Sequence, residues 1–431
     1  MKARGRPKSY FYTRMEPATI WRGWQTRSVG LHIQIPFCKG ICKYCPFNKA
    51  LWQPETVKRY LEALKKEIAA YVELVPGAVI PGIYIGGGTP TSLTGSQLTE
   101  LILHCRESLE IAPGADIAIE ANPNTVDEGK LRTLLDLGVE RISLGVQSFS
   151  GHFLWLIGRA QKAATSVRAI KLAQDAGFSR LNIDLLYNLP GQGLSDWEKE
   201  LHTAVELEVP EISVYPLVPF SYTQLYDELG TARLPPQADR KTNEEMYEMA
   251  LKVLVDAGYR HERLYTYARP EQKKSFVSVE AFFPEYIGVG AGAFSIINHH
   301  QYCNIHPPDA YISAVACRHL PIAVGKKFTL AEEMMRWFSL RMTGELGVDK
   351  AGFKARFGQD MEKVDAVRGM VRQLEEEHLI ECHGSLLKLT LKGMHYYDRM
   401  ARQHVKRIGK LAEECLRTPQ PTRIEVPTFH H

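Results

Sequence analysis

Cys38, Cys42 and Cys45 fall within one eight-residue stretch, Cys38-Lys-Gly-Ile-Cys42-Lys-Tyr-Cys45, directly after the apolar run LHIQIPF. Three thiolates at this spacing in one loop can hold three corners of a [4Fe–4S] cluster and leave the fourth iron without a protein ligand. An iron with an open position can chelate the amino and carboxylate groups of a small molecule, as a catalytic metal keeps one site free. Zinc is the competing reading. It would close a tetrahedron with a fourth Cys or His, and Phe47 and Asn48 supply neither. Cys105, Cys303, Cys317, Cys382 and Cys415 are scattered, which is not the framework of a secreted disulfide scaffold and fits a cytosolic cluster protein.

The elements that must position this loop can be read from periodicity. Six short runs are almost continuously apolar, as strands covered on both faces are: Leu31–Ile35, Gly82–Ile85, Asp116–Glu120, Arg141–Gly145, Leu181–Leu186 and Glu211–Tyr215. Amphipathic stretches separate them, at 57–75, 96–110, 127–138, 164–178 and 195–208. Asp127 and Ser195 can cap helix starts, and Gly138 and Gly177 can end helices. Six β/α units in series predict an α/β fold, a parallel sheet curled into a partial (β/α)6 barrel of the TIM type, with its chemistry at the C-terminal strand ends. The pattern is less regular from 219 to 325, with a helix at 241–258 and a glycine-rich apolar strand or loop at 286–296. It turns to helices plus a short β pair, a winged-helix-like module, at 326–400.

The expected organisation is an N-terminal extension (1–28), the barrel core (29–218), a barrel-completing segment (219–325), the C-terminal module (326–400) and a final helix and tail (401–431). With 53 Lys and Arg against 49 Asp and Glu the net charge is only +4, which gives no basis for nucleic acid or an acidic membrane surface as partner. No apolar run reaches the length of a membrane span, and the basic start lacks the apolar core of a secretory signal, so a cytoplasmic location is expected.

The motifs IPFCKGICKYC, YIGGGTPTSL, EANPNT, RISLGVQSF, NIDLLYNLPGQ and GVGAGAFS, in this order, resemble those of the radical S-adenosylmethionine (SAM) enzymes. Within that superfamily they are similar to the relatives of oxygen-independent coproporphyrinogen III oxidase, the HemN-like group. The likeness covers roughly residues 30–300, and the 326–400 module resembles that group's C-terminal domain. It implies that Cys38, Cys42 and Cys45 bind the [4Fe–4S] cluster and that Tyr44 packs on the adenine of SAM. It further implies that the backbone of Gly86, Gly87, Gly88 and Thr89 binds the methionine part, and that Glu120, Gln147, Arg159 and Asp184 contact its amino-acid and ribose parts. The implied chemistry is reductive cleavage of SAM to a 5′-deoxyadenosyl radical that abstracts hydrogen from an unactivated carbon, in a barrel that excludes water.

Departures from the group's motifs bear on the reaction. Phe47 stands where the oxidase has a fourth cysteine. His32 and Gln34 replace the aromatic and the histidine of the familiar YVHIPFC lead-in, and Gly158-Arg159-Ala160-Gln161 stands in place of Gly-Arg-x-His. The haem chaperone of the same superfamily carries HNxxYW before its glycine loop, where this chain has Ser278-Val279-Glu280-Ala281-Phe282-Phe283. A third branch, a methyltransferase or cyclopropanase that binds two SAM molecules and transfers a methyl or methylene carbon to an sp2 carbon, is the favoured expectation. Tyr215, Gly288, Gly290 and Gly292 would then line the second SAM site. The alternatives are oxidase-like chemistry and haem chaperoning. The implied partners are a small unsaturated or heteroaromatic substrate, a reductase, flavodoxin or ferredoxin as electron donor, and a partner methyltransferase. His299, His300, Cys303 and His306 match no closed zinc pattern and read as a surface loop. Glu262, Arg263, Tyr265 and Tyr267 are candidate substrate contacts or packing residues.

Overall fold

A computed structural model describes residues 19–272, 283–344 and 347–403. Residues 1–18 of the expected extension, Ser278–Phe282 and most of the expected tail, from 404 on, lie outside them. Six parallel strands form the centre: β1 (Gly30–Ile35), β2 (Val79–Gly87), β3 (Glu110–Ala121), β4 (Arg141–Gln147), β5 (Arg180–Tyr187) and β6 (Glu211–Pro216). They pair in chain order, in parallel throughout, as successive β/α units require. The sheet extends past β6 through β7 (Arg260–Arg263) and β8 (Thr266–Ala268), with β8 antiparallel to β6 and β7 at the outer edge. On the other side β9 (Tyr286–Val289) runs parallel to β1, followed by antiparallel β10 (Phe294–Ile297), β11 (His300–Asn304) and β12 (Ile322–Lys327).

Alternation along each strand divides the side chains between two environments. Ile83, Ile85, Ile119, Ile142, Leu144, Ile183, Leu185, Ile212 and Val214 join helix residues such as Leu64, Leu98, Leu131, Ile170 and Leu201 in the main core. The alternate positions face the barrel interior. Branched apolar residues usually fill such an interior; here it holds Ser143, Asn182, Asp184 and Ser213, hydrogen-bonded to one another, with the buried Arg141–Glu211 ion pair at the N-terminal ends of β4 and β6. A polar interior costs core stability, so its satisfied network marks it as a working chamber.

Several local signals act as read from the sequence. Asp127 caps its helix by accepting from Lys130 N at 2.8 Å, and Gly177 ends the preceding helix of β5 in the left-handed conformation. Ser195 does not cap. The helix Leu194–Glu206 begins one residue earlier, after Gly193, and Asp196 accepts from the Gly193 N–H. Residues 299–306 are also not a plain surface loop: His300 and Cys303 are buried on β11, His306 is buried beside Cys303, and His299 pairs with Glu333.

The C-terminal module has helices Leu330–Met342, Lys350–Phe357 and Asp365–Glu376. Its small sheet contains β13 (Val348–Asp349), β14 (Ile380–His383) and β15 (Leu386–Leu389), in the order β13-β15-β14. A helical run at 391–403 follows, and its Asp398 accepts a hydrogen bond from Tyr265 at 2.6 Å. Tyr265 and Tyr267 therefore serve as packing residues: Tyr267 is fully buried, and Tyr265 anchors the module. No helix among the described residues is long and apolar enough to cross a membrane.

Candidate functional site: the three-cysteine loop and the barrel mouth

The cysteine loop leaves β1 through Phe37–Cys38, which pairs in parallel with Ala50–Leu51 and so closes the loop on itself. Asn48 fastens it from outside by donating from Nδ2 to the carbonyls of Ala291 and His306, both at 2.8 Å. Lys43 ties it to two further elements, with its N–H on Ile157 O, its carbonyl accepting from Leu225 N and its ammonium 2.8 Å from Glu228. The loop is thus held on three sides before any cofactor is considered.

Cys38 is buried, and Cys42 and Cys45 are half-buried. Thr89 donates to Cys38 Sγ at 3.4 Å, so the glycine loop after β2 supports a cysteine through its threonine. Arg159 Nη1 lies 3.6 Å from Cys42 Sγ, while its Nη2 bonds Gly145 O and Gln161 Oε1. Its Nε is buried without a partner, an unusual state for a guanidinium N–H, and it points to an acceptor that the protein alone does not supply. Burial pushes the Cys38 thiol up and that of Cys45 to about 11, so both need a cationic centre to exist as thiolates. Three sulfur donors in one clamped loop suit a larger cluster.

Around the mouth, Gly88 must be glycine: a Cβ there would sit 2.7 Å from the Pro36 carbonyl and 3.0 Å from Cys38 Sγ. Gly87 has φ of +120°, and its N–H donates to Glu120 Oε2 at 3.0 Å. A Cβ on Gly86 would meet the Tyr84 ring and the Glu120 carboxyl. Glu120 Oε1 accepts from Tyr84 OH at 2.8 Å, and burial pushes its carboxyl up to about 7. Asp184 is also pushed up by burial, against hydrogen bonds from Ser143 and Asn182. His32 lies beside Tyr84, and burial holds its imidazole down at about 4. Glu120, Asp184 and His32 keep some accessible surface although protein surrounds them, as groups lining a chamber do. Gln147 ends β4 at a register shift, with a positive φ of 69°. Tyr44 and Tyr215 pack on one apolar group with Leu186, Leu217 and Leu225.

The structure thus gathers Tyr44, the glycine loop, Glu120, Gln147, Arg159, Asp184 and Tyr215 around the strand ends and the cysteine loop. Gly288 lies on β9, and Gly290 and Gly292 lie in the turn to β10. The space beside each is taken by the chain itself: Phe294 O at Gly288, Gln34 O and Tyr60 OH at Gly290, Asn48 at Gly292. The Gly290 N–H donates to Glu67, a buried carboxylate that also accepts from Tyr311 and Asn304. They lock the β9–β10 turn against the cysteine loop. Sequence reading missed Tyr84, Glu67 and the Arg141–Glu211 pair. Only the polar residues within apolar runs hinted at them.

A partial barrel with three cysteines after its first strand defines a radical SAM protein, and the Radical SAM superfamily model matches residues 33–204. The HemN C-terminal domain model matches residues 329–396. The heme chaperone HemW of Bacillus subtilis is 32% identical over 367 residues, spanning 84% of this chain and 95% of that protein. HemW of Escherichia coli is 34% identical over 266 residues, spanning 62% and 69%. The solved structure of E. coli coproporphyrinogen III oxidase, HemN, superposes with a TM-score of 0.79 at 22% identity, covering 92% of this chain and 95% of that one, which shows the shared fold. The chain belongs to the HemN-like family of radical SAM proteins, whose cofactors are a [4Fe–4S] cluster and SAM. These relatives lend no support to the methyltransferase or cyclopropanase branch favoured from the sequence. Their names fit the haem-chaperone alternative better.

Proposed function

We propose that this chain is a haem carrier built on a radical SAM core. It would bind haem for delivery and use its cluster and SAM in that task, with no carbon transfer to a substrate. The observation that carries the reading is the likeness to a protein named heme chaperone at 32% identity along 95% of that relative's length. Cys38, Cys42 and Cys45 would hold the cluster, since they are the three sulfur donors in one clamped loop. When bound, the cluster supplies the single electron needed to cleave SAM reductively.

The chain's own groups would do the rest. The backbone after β2 can approach a ligand closely because Gly86, Gly87 and Gly88 carry no Cβ. Arg159 would direct its unpartnered Nε toward a carboxylate. Glu120 and Asp184 would accept from the ammonium and ribose hydroxyls, and Tyr44 and Tyr215 would present an apolar wall to the base. Anaerobic protein titrated with hemin should develop a saturable Soret band at one haem per chain. The same protein given SAM and dithionite should form no S-adenosylhomocysteine. Absence of haem uptake together with S-adenosylhomocysteine formation would overturn the reading in favour of carbon transfer.

A further inference from the structure

A cleft of about 390 Å3 lies between the outer edge of the large sheet and the C-terminal module. This volume falls within the range of small-molecule sites, which favour domain junctions. The edge strand β7 forms one wall and β15 with the start of the 391–403 run forms the other. The two sides are joined by an isolated bridge between Arg263 and Gly344 and by Leu264 N donating to Thr343 O at 2.8 Å. Apolar side chains of Val255, Leu389 and Met394 line the cleft together with Arg260, Arg263 and Lys388. No carboxylate lines it among the described residues. Arg260 is paired with Glu262, and Arg263 donates to Leu340 O and to Thr343 Oγ1. These contacts fix both guanidinium groups at the rim, and Lys388 is only half-buried.

An apolar slot with a cationic rim suits an apolar anion. Haem is a flat apolar ring with two carboxylates on one edge. The barrel chamber has the opposite character: its interior holds the hydrogen-bonded polar groups of Ser143, Asn182, Asp184 and Ser213, which offer a flat apolar ring no apolar wall. We infer, resting on the haem-carrier reading, that haem is held in this cleft and not in the barrel, with its ring against Leu389 and Met394 and its carboxylates toward Arg263 and Lys388. Cargo and SAM then occupy separate sites, one at the edge of the sheet and one at the strand ends.

Hemin titration of the anaerobic holoprotein, followed at the Soret band, tests this. Lys388→Glu reverses a half-exposed charge and should raise the haem Kd about fivefold or more. Met394→Trp fills the slot and should weaken binding further. Lys58→Glu, on a helix packed at the far side of the sheet, controls for net charge and should change nothing. Cluster absorbance and far-UV circular dichroism should stay at wild-type values in all three. If Lys388→Glu and Met394→Trp, folded by these measures, bind haem within twofold of wild type, the cleft is not the site while the carrier reading stands. If the wild type takes up no haem, the carrier reading falls and this site with it.

Discussion

Removing the Tyr84 hydroxyl should shift the pH range in which the protein binds SAM. Glu120 has two donors, Tyr84 OH at 2.8 Å and Gly87 N–H at 3.0 Å, and burial, the largest influence, pushes its carboxyl up to about 7. Asp184 adds to the upward push and Arg141 opposes it, while His32 is neutral at this pH. If ionised Glu120 accepts from bound SAM, wild-type affinity rises about tenfold between pH 6 and pH 8 as the carboxylate forms. A hydrogen bond to an ionised acceptor contributes about 1.5–3 kcal/mol, and one pH unit corresponds to about 1.4 kcal/mol, so Tyr84→Phe moves this ionisation up by about one to two units. At pH 7 the variant should bind SAM about fivefold or more weakly, and it should approach wild type by pH 9. Equilibrium dialysis with radiolabelled SAM against the reconstituted protein measures this, with iron content as the control for loop integrity. Superimposable pH profiles for variant and wild type would refute the argument that Tyr84 holds the charge on Glu120. A flat wild-type profile would refute the role of Glu120 itself.

Other perturbations follow from the same contacts. Gly88→Ala drives a methyl into the Pro36 carbonyl and Cys38 Sγ, neither able to move aside, so the purified variant should lose most of its iron by chemical assay. Arg141→Met takes away the guanidinium 2.5 Å from the buried Glu211 carboxylate and leaves that charge without its cation. It should destabilise the barrel by about 3–5 kcal/mol in guanidinium denaturation followed by tryptophan fluorescence. Burial raises Glu67 from the ordinary carboxylate range to about 7, so its protonated form stabilises the fold fully below about pH 4.5 and that contribution, about 3 kcal/mol, is lost as pH rises through 7. Glu67→Gln should flatten the fall in stability between pH 5 and pH 8, and an unchanged slope would exclude Glu67 as its source.

The fold was legible because each unit carries its own signals. The six central strands are short apolar runs between amphipathic helices, and the structure reproduces them, with β3 starting six residues earlier, across Pro113 and Gly114. The added strands on both sides were hidden because residues 260–268 and 300–327 are short, mixed in polarity and defined by antiparallel partners distant in sequence. The cysteine loop was legible from spacing alone. Its support was not: Thr89 lies 51 residues from Cys38, Arg159 lies 117 residues from Cys42, and no local pattern encodes such pairings. The surroundings of the glycines at 288–292 were hidden for a related reason. Glycine signals close approach without saying what approaches, and here it is Tyr60, Asn48 and Phe294.

Cys38, Cys42 and Cys45 are expected to carry, with no fourth side chain, an iron–sulfur cluster that leaves one iron open to SAM. Iron and sulfide analysis of anoxically reconstituted protein, paired with electron paramagnetic resonance of the reduced state with and without SAM, tests it most directly. Expected are about four iron and four sulfide per chain, a spectrum that changes when SAM is added, and loss of the cluster in Cys38→Ala, Cys42→Ala and Cys45→Ala but not in Cys317→Ala or Cys382→Ala. Zinc in place of iron, a spectrum indifferent to SAM, or a cluster that survives loss of any of the three cysteines would contradict it.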